Sequence, residues 1–173
     1  MLKDPRIQQL AKTLVNHSVQ AKAGENIMIY AQIKAKPLVI AICEELQNVG
    51  ANPYIQINDS DFTRETYKAQ TEKSLDVSYR WLEYQLKDID GFISIVSLES
   101  DYTNSDVAEQ VLAYRKKFQP LQKTRLAKKW VLLNYPTEGG AHKAKMSYSQ
   151  YVDYMLDVMN VDYVKMGEDF KAL

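Results

Sequence analysis

The segment WVLLNYPTEGGAHKAKMSYSQY, residues 130–151, is the most informative part of the sequence about the fold class. It opens with an uninterrupted apolar run, Trp130 to Leu133, which is typical of a parallel strand covered on both faces. Pro136 ends that strand because proline has no backbone N–H to donate to a sheet. The Gly-Gly pair lets the backbone turn, and Ser147 or Ser149 can cap a following helix. A strand, a polar exit loop and a helix predict one unit of an open α/β sheet, which binds ligands at the carboxyl ends of its strands.

Strands and helices alternate along the rest of the chain in the same way. The predicted strands are residues 26–31, 54–57, 91–98 and 130–134. The predicted helices are residues 4–19, 37–49, pieces of 59–88, 103–118, and a final helix after residue 147. The order strand, helix, strand predicts parallel pairing with a right-handed crossover. We therefore expect an α/β fold with a mostly parallel sheet of about four strands and helices on both faces.

Several local signals refine these helices. Asp4-Pro5 places a cap and a proline at a helix start, and Gly50 is a predicted C-cap. Thr103 and Asp106 have the spacing of a capping-box variant, and Pro120 is expected to break or kink the helix that follows. The inward residues predicted for segment 59–88 are Phe62, Thr66, Leu75, Tyr79, Leu82 and Leu86.

Composition indicates an ordinary globular protein. The 173 residues predict one domain, 1–173, with a core that needs no disulfide. The formal net charge is zero, so no bulk field favours nucleic acid or an anionic membrane. Cys43 is the single cysteine, which fits a reducing cytoplasm, and the N-terminus has no apolar signal core. The 12 tyrosines favour an oligomer or an interdomain contact.

Motifs for several chemistries are missing from the sequence. There is no H-E-x-x-H, G-x-G-x-x-G, Walker loop or G-x-S-x-G. His17 and His142 have no Cys, His or carboxylate at ligand spacing, so no metal site is predicted. Cys43 lies among apolar residues of a helix and is predicted to be a buried, inert thiol. We therefore predict no catalytic residue and no metal ligand in this chain.

Acidic residues follow three of the four predicted strands, at the edge where ligands of parallel sheets bind. Such a rim would attract a cationic group, for example a peptide α-ammonium, although these acids also suit helix N-caps and first turns. The candidate substrate-side or interface residues are Tyr135, Thr137, Glu138, Glu99, Asp101 and Asp59.

A run of basic residues lies between Arg115 and Lys129 and contains seven cations and no acid. Such a run is usually a solvated helix face, but it can also bind phosphate backbones. The candidate basic patch is Lys116, Lys117, Lys128 and Lys129.

Two segments resemble a known family. DPRIQQLAKTLVNHSVQAKAGENIMI, residues 4–29, resembles the N-terminal signature of the aminopeptidase T and aminopeptidase S family of metallopeptidases. WVLLNYPTEGGAHKAKMSYSQYVDY, residues 130–154, resembles that family's Trp…Tyr-Pro-Thr segment with its Met-Ser helix entry. The two matches occur in the family's order and bracket most of the chain.

The resemblance implies an N-terminal α/β domain of a cytoplasmic, dimeric exopeptidase that removes N-terminal amino acids from peptides. It also implies two divalent metal ions, of the Zn, Co or Mn type, held by Glu, His and Asp residues of a second domain. No residue of that domain matches this chain, so no catalytic residue is transferred and the chain is expected to be inactive alone. The final helix keeps its apolar pattern to Leu173 without a C-cap, which favours a truncation at or near that point.

The alternatives are a free-standing α/β binding module and, on the basic run alone, a phosphate or RNA binder. The family resemblance favours the peptidase domain, with a separate catalytic domain and a second copy as partners. A membrane is not an expected partner.

Overall fold

The computed structural model describes residues 4–97 and 99–171, and within them the chain folds around a four-stranded parallel sheet. The strands are β1 (Asn26–Gln32), β2 (Asn52–Asn58), β3 (Gly91–Val96) and β4 (Lys129–Asn134). Their order across the sheet is β2-β1-β3-β4, and every neighbouring pair is parallel. The predicted α/β class and the parallel pairing of the first two strands are confirmed.

Helices cover both faces of this sheet. They are α1 (Pro5–Lys12), α2 (Lys36–Asn48), α3 (Ser60–Lys68), α4 (Glu72–Asp88), α5 (Ala108–Leu126), α6 (Glu138–Lys143), α7 (Tyr148–Met159) and α8 (Tyr163–Lys171). Because successive strand residues point to opposite faces, Ile29 packs in a core with α1, α2 and α7, and Met28 packs in a second core with α4 and α5. We call the core around Ile29 the inner core and the core around Met28 the outer core. The face of the sheet on which Met28 lies is the outer face.

Three predicted signals at helix ends are confirmed. The Asp4 carboxylate accepts a hydrogen bond from the Arg6 N–H at 2.9 Å and caps α1. Ser147, and not Ser149, caps α7 in a capping box with Gln150. Gly50 follows α2 with φ of +76°, a left-handed conformation that glycine adopts without strain.

The fourth strand is not covered on both faces, so that prediction is wrong. Trp130 is 50% exposed and Leu132 is 55% exposed, whereas Val131 and Leu133 pack against the inner core. The reason is that β4 lies at the sheet edge, while Phe118 and Leu121 of α5 pack over the central strands.

The long segment between β2 and β3 forms two helices, as expected, but not every predicted inward residue is buried. Phe62 is 78% exposed and Thr66 is also exposed. Leu86 is buried, and Leu75, Tyr79 and Leu82 are partly buried against the outer core. The shorter helix α3 buries no residue of its own, and α4 supplies the packing.

The structure contradicts the predicted cap at Thr103 and the predicted break at Pro120. Thr103 does not cap a helix, because its hydroxyl donates to the Ser100 carbonyl and α5 begins only at Ala108. Pro120 does not end α5, which continues to Leu126. Tyr114 and Phe118 of α5 stack on each other with centroids 4.1 Å apart, and both pack in the core around Met28 on the N-terminal side of that proline.

Two expected ends, of the third strand at Leu98 and of the last helix at Leu173, lie outside the described residues. Among the helices that are described, none has the length and apolar character needed to cross a bilayer.

Candidate functional site

The carboxyl ends of β1, β3 and β4 carry a compact polar cluster, which we call the end-of-sheet cluster: Lys34, Glu99, Thr137 and Gly139. Lys34 follows β1, Glu99 follows β3, and the other two residues begin α6 after β4. The Glu99 carboxylate accepts a hydrogen bond from Lys34 Nζ and another from the Gly139 N–H at 2.6 Å. One carboxylate thereby ties three loops together.

These contacts also set the charge of the cluster. The hydrogen bond from Lys34 is the main reason that the pKa of Glu99 lies below its ordinary value, with further help from the Gly139 N–H and the Thr137 hydroxyl. The same hydrogen bond raises the pKa of Lys34, and the nearby charge of Glu138 adds to that effect. Glu99 is therefore ionised and already paired.

Gly139 permits the close approach of two loops. A methyl group at this position would lie 1.9 Å from the Glu99 carbonyl oxygen and 2.6 Å from its carbonyl carbon. Because both contacts are with the main chain, no side-chain rotation can relieve them. The predicted flexible turn at Gly139-Gly140 is instead the first part of α6, which Thr137 caps by accepting from the Gly140 N–H at 3.0 Å.

Tyr135 lies under this cluster. It is buried, its N–H donates to the Val96 carbonyl at 2.7 Å, and burial raises its pKa to about 12. Glu138 is exposed at the start of α6. Four of the six candidate substrate-side residues, Tyr135, Thr137, Glu138 and Glu99, therefore come from one region of the fold.

The other two acidic candidates already have partners in the structure. Asp101 forms an ion pair with Lys143 of α6 at 2.6 Å. Asp59 caps α3 and accepts from the Asp61 N–H at 2.9 Å. Since β1 separates β2 from β3, Asp59 is offset from Glu99 by two strand spacings, about 10 Å.

The four lysines of the candidate basic patch do not form one free surface. Lys117 pairs with Asp76, and Lys129 pairs with Glu25 at 2.6 Å. Lys128 donates to the Ile89 carbonyl, while Lys116 is exposed. Their contacts hold α5 and β4 to neighbouring elements.

The histidines and the cysteine fit structural roles. His17 stacks on the ring of Tyr163, with centroids 5.7 Å apart, and His142 is exposed in α6. Cys43 is partly buried, and burial raises its pKa above the ordinary thiol value. Within residues 4–97 and 99–171, no group of three or more His, Cys, Asp or Glu side chains could hold a metal ion. The described residues therefore do not fit a two-metal centre.

Sequence reasoning missed two residues. Lys34 neutralises Glu99, which lies 65 residues later in the sequence, and no local sequence pattern predicts such a pair. Arg125 was grouped with the basic run but points toward the outer core, where it packs on Tyr30 and Phe92. The helical spacing could have predicted this position, because Arg125 lies seven residues after Phe118 and therefore on the same face of the helix.

The fold of this chain is similar to that of a protein of known structure. Wild-type AmpT from Thermus thermophilus superposes with a TM-score of 0.73 at 14% sequence identity. The superposition covers 90% of this chain and 43% of the AmpT chain, so this chain spans less than half of that protein. At this identity the likeness shows the fold alone.

The sequence itself carries the family assignment. A search of curated proteins finds no match. The profile of the thermophilic metalloprotease (M29) family, in contrast, matches residues 3–170, which is nearly the whole chain. The chain therefore belongs to the thermophilic metalloprotease (M29) family, a family of metal-dependent aminopeptidases, in agreement with the resemblance of its two terminal segments.

Proposed function

We propose that this chain is the non-catalytic N-terminal part of a metal-dependent aminopeptidase that removes N-terminal amino acids from peptides. On this proposal the metal ligands lie on a second domain, and the 173-residue chain is inactive alone. Its own roles are to hold the catalytic part, to shape access for the substrate, or to hold a dimer. We place the enzyme in the cytoplasm, with two divalent ions of the Zn, Co or Mn type.

One observation carries this proposal: the chain aligns over 90% of its own length with only 43% of the AmpT chain. More than half of that related protein has no counterpart here. A two-metal hydrolase needs several Glu, His and Asp ligands around a water nucleophile. The described residues offer no cluster of that kind, so we assign those ligands to the part of the enzyme that AmpT has in addition.

The surface beside β2 gives further support. Four isoleucines, Ile33, Ile40, Ile55 and Ile57, are exposed there and line an apolar depression with Val39. Contiguous exposed apolar surface marks contact sites for other protein surfaces. We assign this surface, which we call the β2-edge patch, to the contact with the catalytic domain.

The first test is activity of the purified 173-residue chain. Release of nitroaniline from leucine p-nitroanilide should not exceed the buffer rate with excess Zn²⁺, Co²⁺ or Mn²⁺, while an active aminopeptidase in the same assay gives turnover. Metal-dependent turnover by this chain alone would refute the proposal.

The second test asks what the cell contains. An immunoblot of source-cell extract, with intact mass of the captured band, should show either a two-domain product or a short chain that copurifies with a metal-binding polypeptide. A short chain of 19.9 kDa that purifies without a partner would instead support the free-standing binding module. In that case the β2-edge patch would serve a different partner.

A further inference from the structure

A cavity of about 760 Å³ lies between the outer face of the sheet and helices α3, α4 and α5. Its floor includes Tyr30 of β1 and Ser94 of β3, which are paired in register. Uncharged polar side chains line much of it: Gln56, Asn58, Tyr67, Ser74, Ser78 and Gln122. Trp81, Leu75 and Leu82 of α4 add an apolar wall.

Arg125 is the charged residue among the described residues that line this cavity. Its guanidinium lies 5.1 Å from the ring centroids of both Tyr30 and Phe92, and its Nη2 donates to Ser94 Oγ. Burial lowers its pKa from the ordinary value. The group nevertheless stays protonated near neutral pH, as arginine does in proteins.

Two other arginines of this chain are paired with carboxylates. Arg6 pairs with three carboxylates and Arg64 pairs with two, although both are closer to solvent. For Arg125, no carboxylate of residues 4–97 and 99–171 lies within ion-pair distance. Among the described residues, Arg80 and Arg115 also form no ion pair, but both are exposed, whereas Arg125 is partly buried and has no carboxylate partner.

Removing a cation from water without a counter-charge costs free energy. Stacking on two aromatic rings offsets only part of that cost. A guanidinium has five N–H donors arranged as a fork that matches a carboxylate, and one of them is used by Ser94. The remaining donors and the uncompensated charge both favour an acceptor that carries negative charge.

We propose that this cavity binds a small organic monocarboxylate, whose carboxylate pairs with Arg125 and whose uncharged body lies against the apolar wall of α4. One cation without a lining acid suits a single negative charge better than a phosphate dianion. The absence of an acid among the described lining residues also disfavours a free amino acid, whose ammonium would have no counter-ion. This site is independent of the aminopeptidase assignment.

The experiment is calorimetric titration of the 173-residue chain with N-acetylphenylalanine, which has one carboxylate and an aromatic body. The matched probe is N-acetylphenylalanine amide, which has the same body without the charge, and a third probe is inorganic phosphate. We expect saturable binding of one carboxylate per chain and binding of the amide at least 10-fold weaker. Equal binding of acid and amide, no binding of the acid, or preferential binding of phosphate would each overturn the proposal.

Three variants on α5 assign the charge. Arg125→Gln should weaken carboxylate binding at least 10-fold, and Arg125→Lys should restore only part of it because lysine lacks the fork. Lys123→Gln removes an exposed cation two positions away and should leave binding unchanged. Undiminished binding by a folded Arg125→Gln protein contradicts the proposal, and the comparison of acid with amide on the unaltered chain tests it without any variant.

Discussion

Replacement of Gly139 by alanine should destabilise the fold more than any other glycine-to-alanine change in the described chain. The added methyl group would lie 1.9 Å from the Glu99 carbonyl oxygen, and real Cβ atoms essentially never come closer than 3.0 Å to another heavy atom. The loops after β3 and β4 must therefore separate by about 1 Å. That separation also lengthens the 2.6 Å hydrogen bond from the Gly139 N–H to the Glu99 carboxylate.

The size of the expected loss of stability follows from these two contacts. Overpacking a close contact costs about 1–3 kcal/mol, and a hydrogen bond to a charged group contributes about 1.5–3 kcal/mol, near the lower value here because Glu99 is partly exposed. Alanine in a helix recovers about 1 kcal/mol relative to glycine. The net loss is about 3 kcal/mol, which corresponds to a decrease of about 6–12 °C in Tm for a domain of this size.

Thermal and urea unfolding followed by circular dichroism measure this loss, with Gly167→Ala as the matched control. Gly167 has no neighbouring atom within 4 Å and lies inside α8, so alanine there should be neutral or stabilising by up to about 1 kcal/mol. At Gly140 the methyl group would meet the Tyr151 ring at 2.8 Å, so Tyr151→Ala should relieve Gly140→Ala. Truncation of the Glu99 side chain should not relieve Gly139→Ala, because the contact is with the main chain. If Gly139→Ala and Gly167→Ala unfold at the same urea concentration, the assigned contact is not present in solution.

Three further predictions concern single side chains. Because Lys34 lowers the pKa of Glu99, the ionised Glu99 side chain stabilises the fold at pH values above its ordinary pKa of 4.5. This stabilisation is lost as the pH falls through the lower pKa that Glu99 has in the folded state. The difference in unfolding free energy between wild type and Glu99→Gln should then be larger at pH 7 than at pH 3, and a constant difference would argue against the pair. The tyrosinate absorbance that Tyr135→Phe removes should titrate near pH 12, and a transition near pH 10 would show that the hydroxyl is solvated. Leu156 is 1% exposed, so Leu156→Ala should lower the free energy of unfolding by about 2–5 kcal/mol in urea denaturation. Val158 lies on the same helix and is 48% exposed, so Val158→Ala should lower it by less than about 0.5 kcal/mol. Equal losses would mean that α7 does not pack as described.

Features that act within a few residues were predictable from the sequence. The cap of α1 at Asp4, the capping box of Ser147 with Gln150, and the turn at Gly50 all depend on side chains or backbone conformations inside one helical turn. Asp4 and Gly50 were predicted at these places, and Ser147 was one of two predicted caps of α7, while its partner Gln150 was not predicted. Strand positions were also predictable, because buried parallel strands need continuous apolar runs.

Burial was not predictable from the same patterns. The apolar run that begins at Trp130 reads like a central strand, yet β4 has a neighbour on one side only. Phe62 suits an inward position at helical spacing, yet α3 has no core element against that face. In both cases burial depends on which element packs alongside, and that information lies elsewhere in the chain.

The charges of the predicted acidic rim are also balanced by residues that are distant in the sequence. Glu99 is neutralised by Lys34 and Asp101 by Lys143, from loops that the sheet brings together. The sequence could place these acids at the carboxyl ends of strands, but it could not pair them, because strand order was open. The candidate substrate-side residues stay a prediction, and their pairing means that a cationic substrate group would have to compete with Lys34 or Lys143.

Strand order also explains where the Arg125 cavity lies. Open α/β sheets bind ligands at the carboxyl ends of the strands, beside the point at which strand order reverses. In the order β2-β1-β3-β4 that point lies between β1 and β3. Gln32 and Val96, the last residues of these two strands, both line the cavity. Topology and the unneutralised guanidinium are independent observations, one from the backbone and one from a side chain, and both lead to the same place on the outer face.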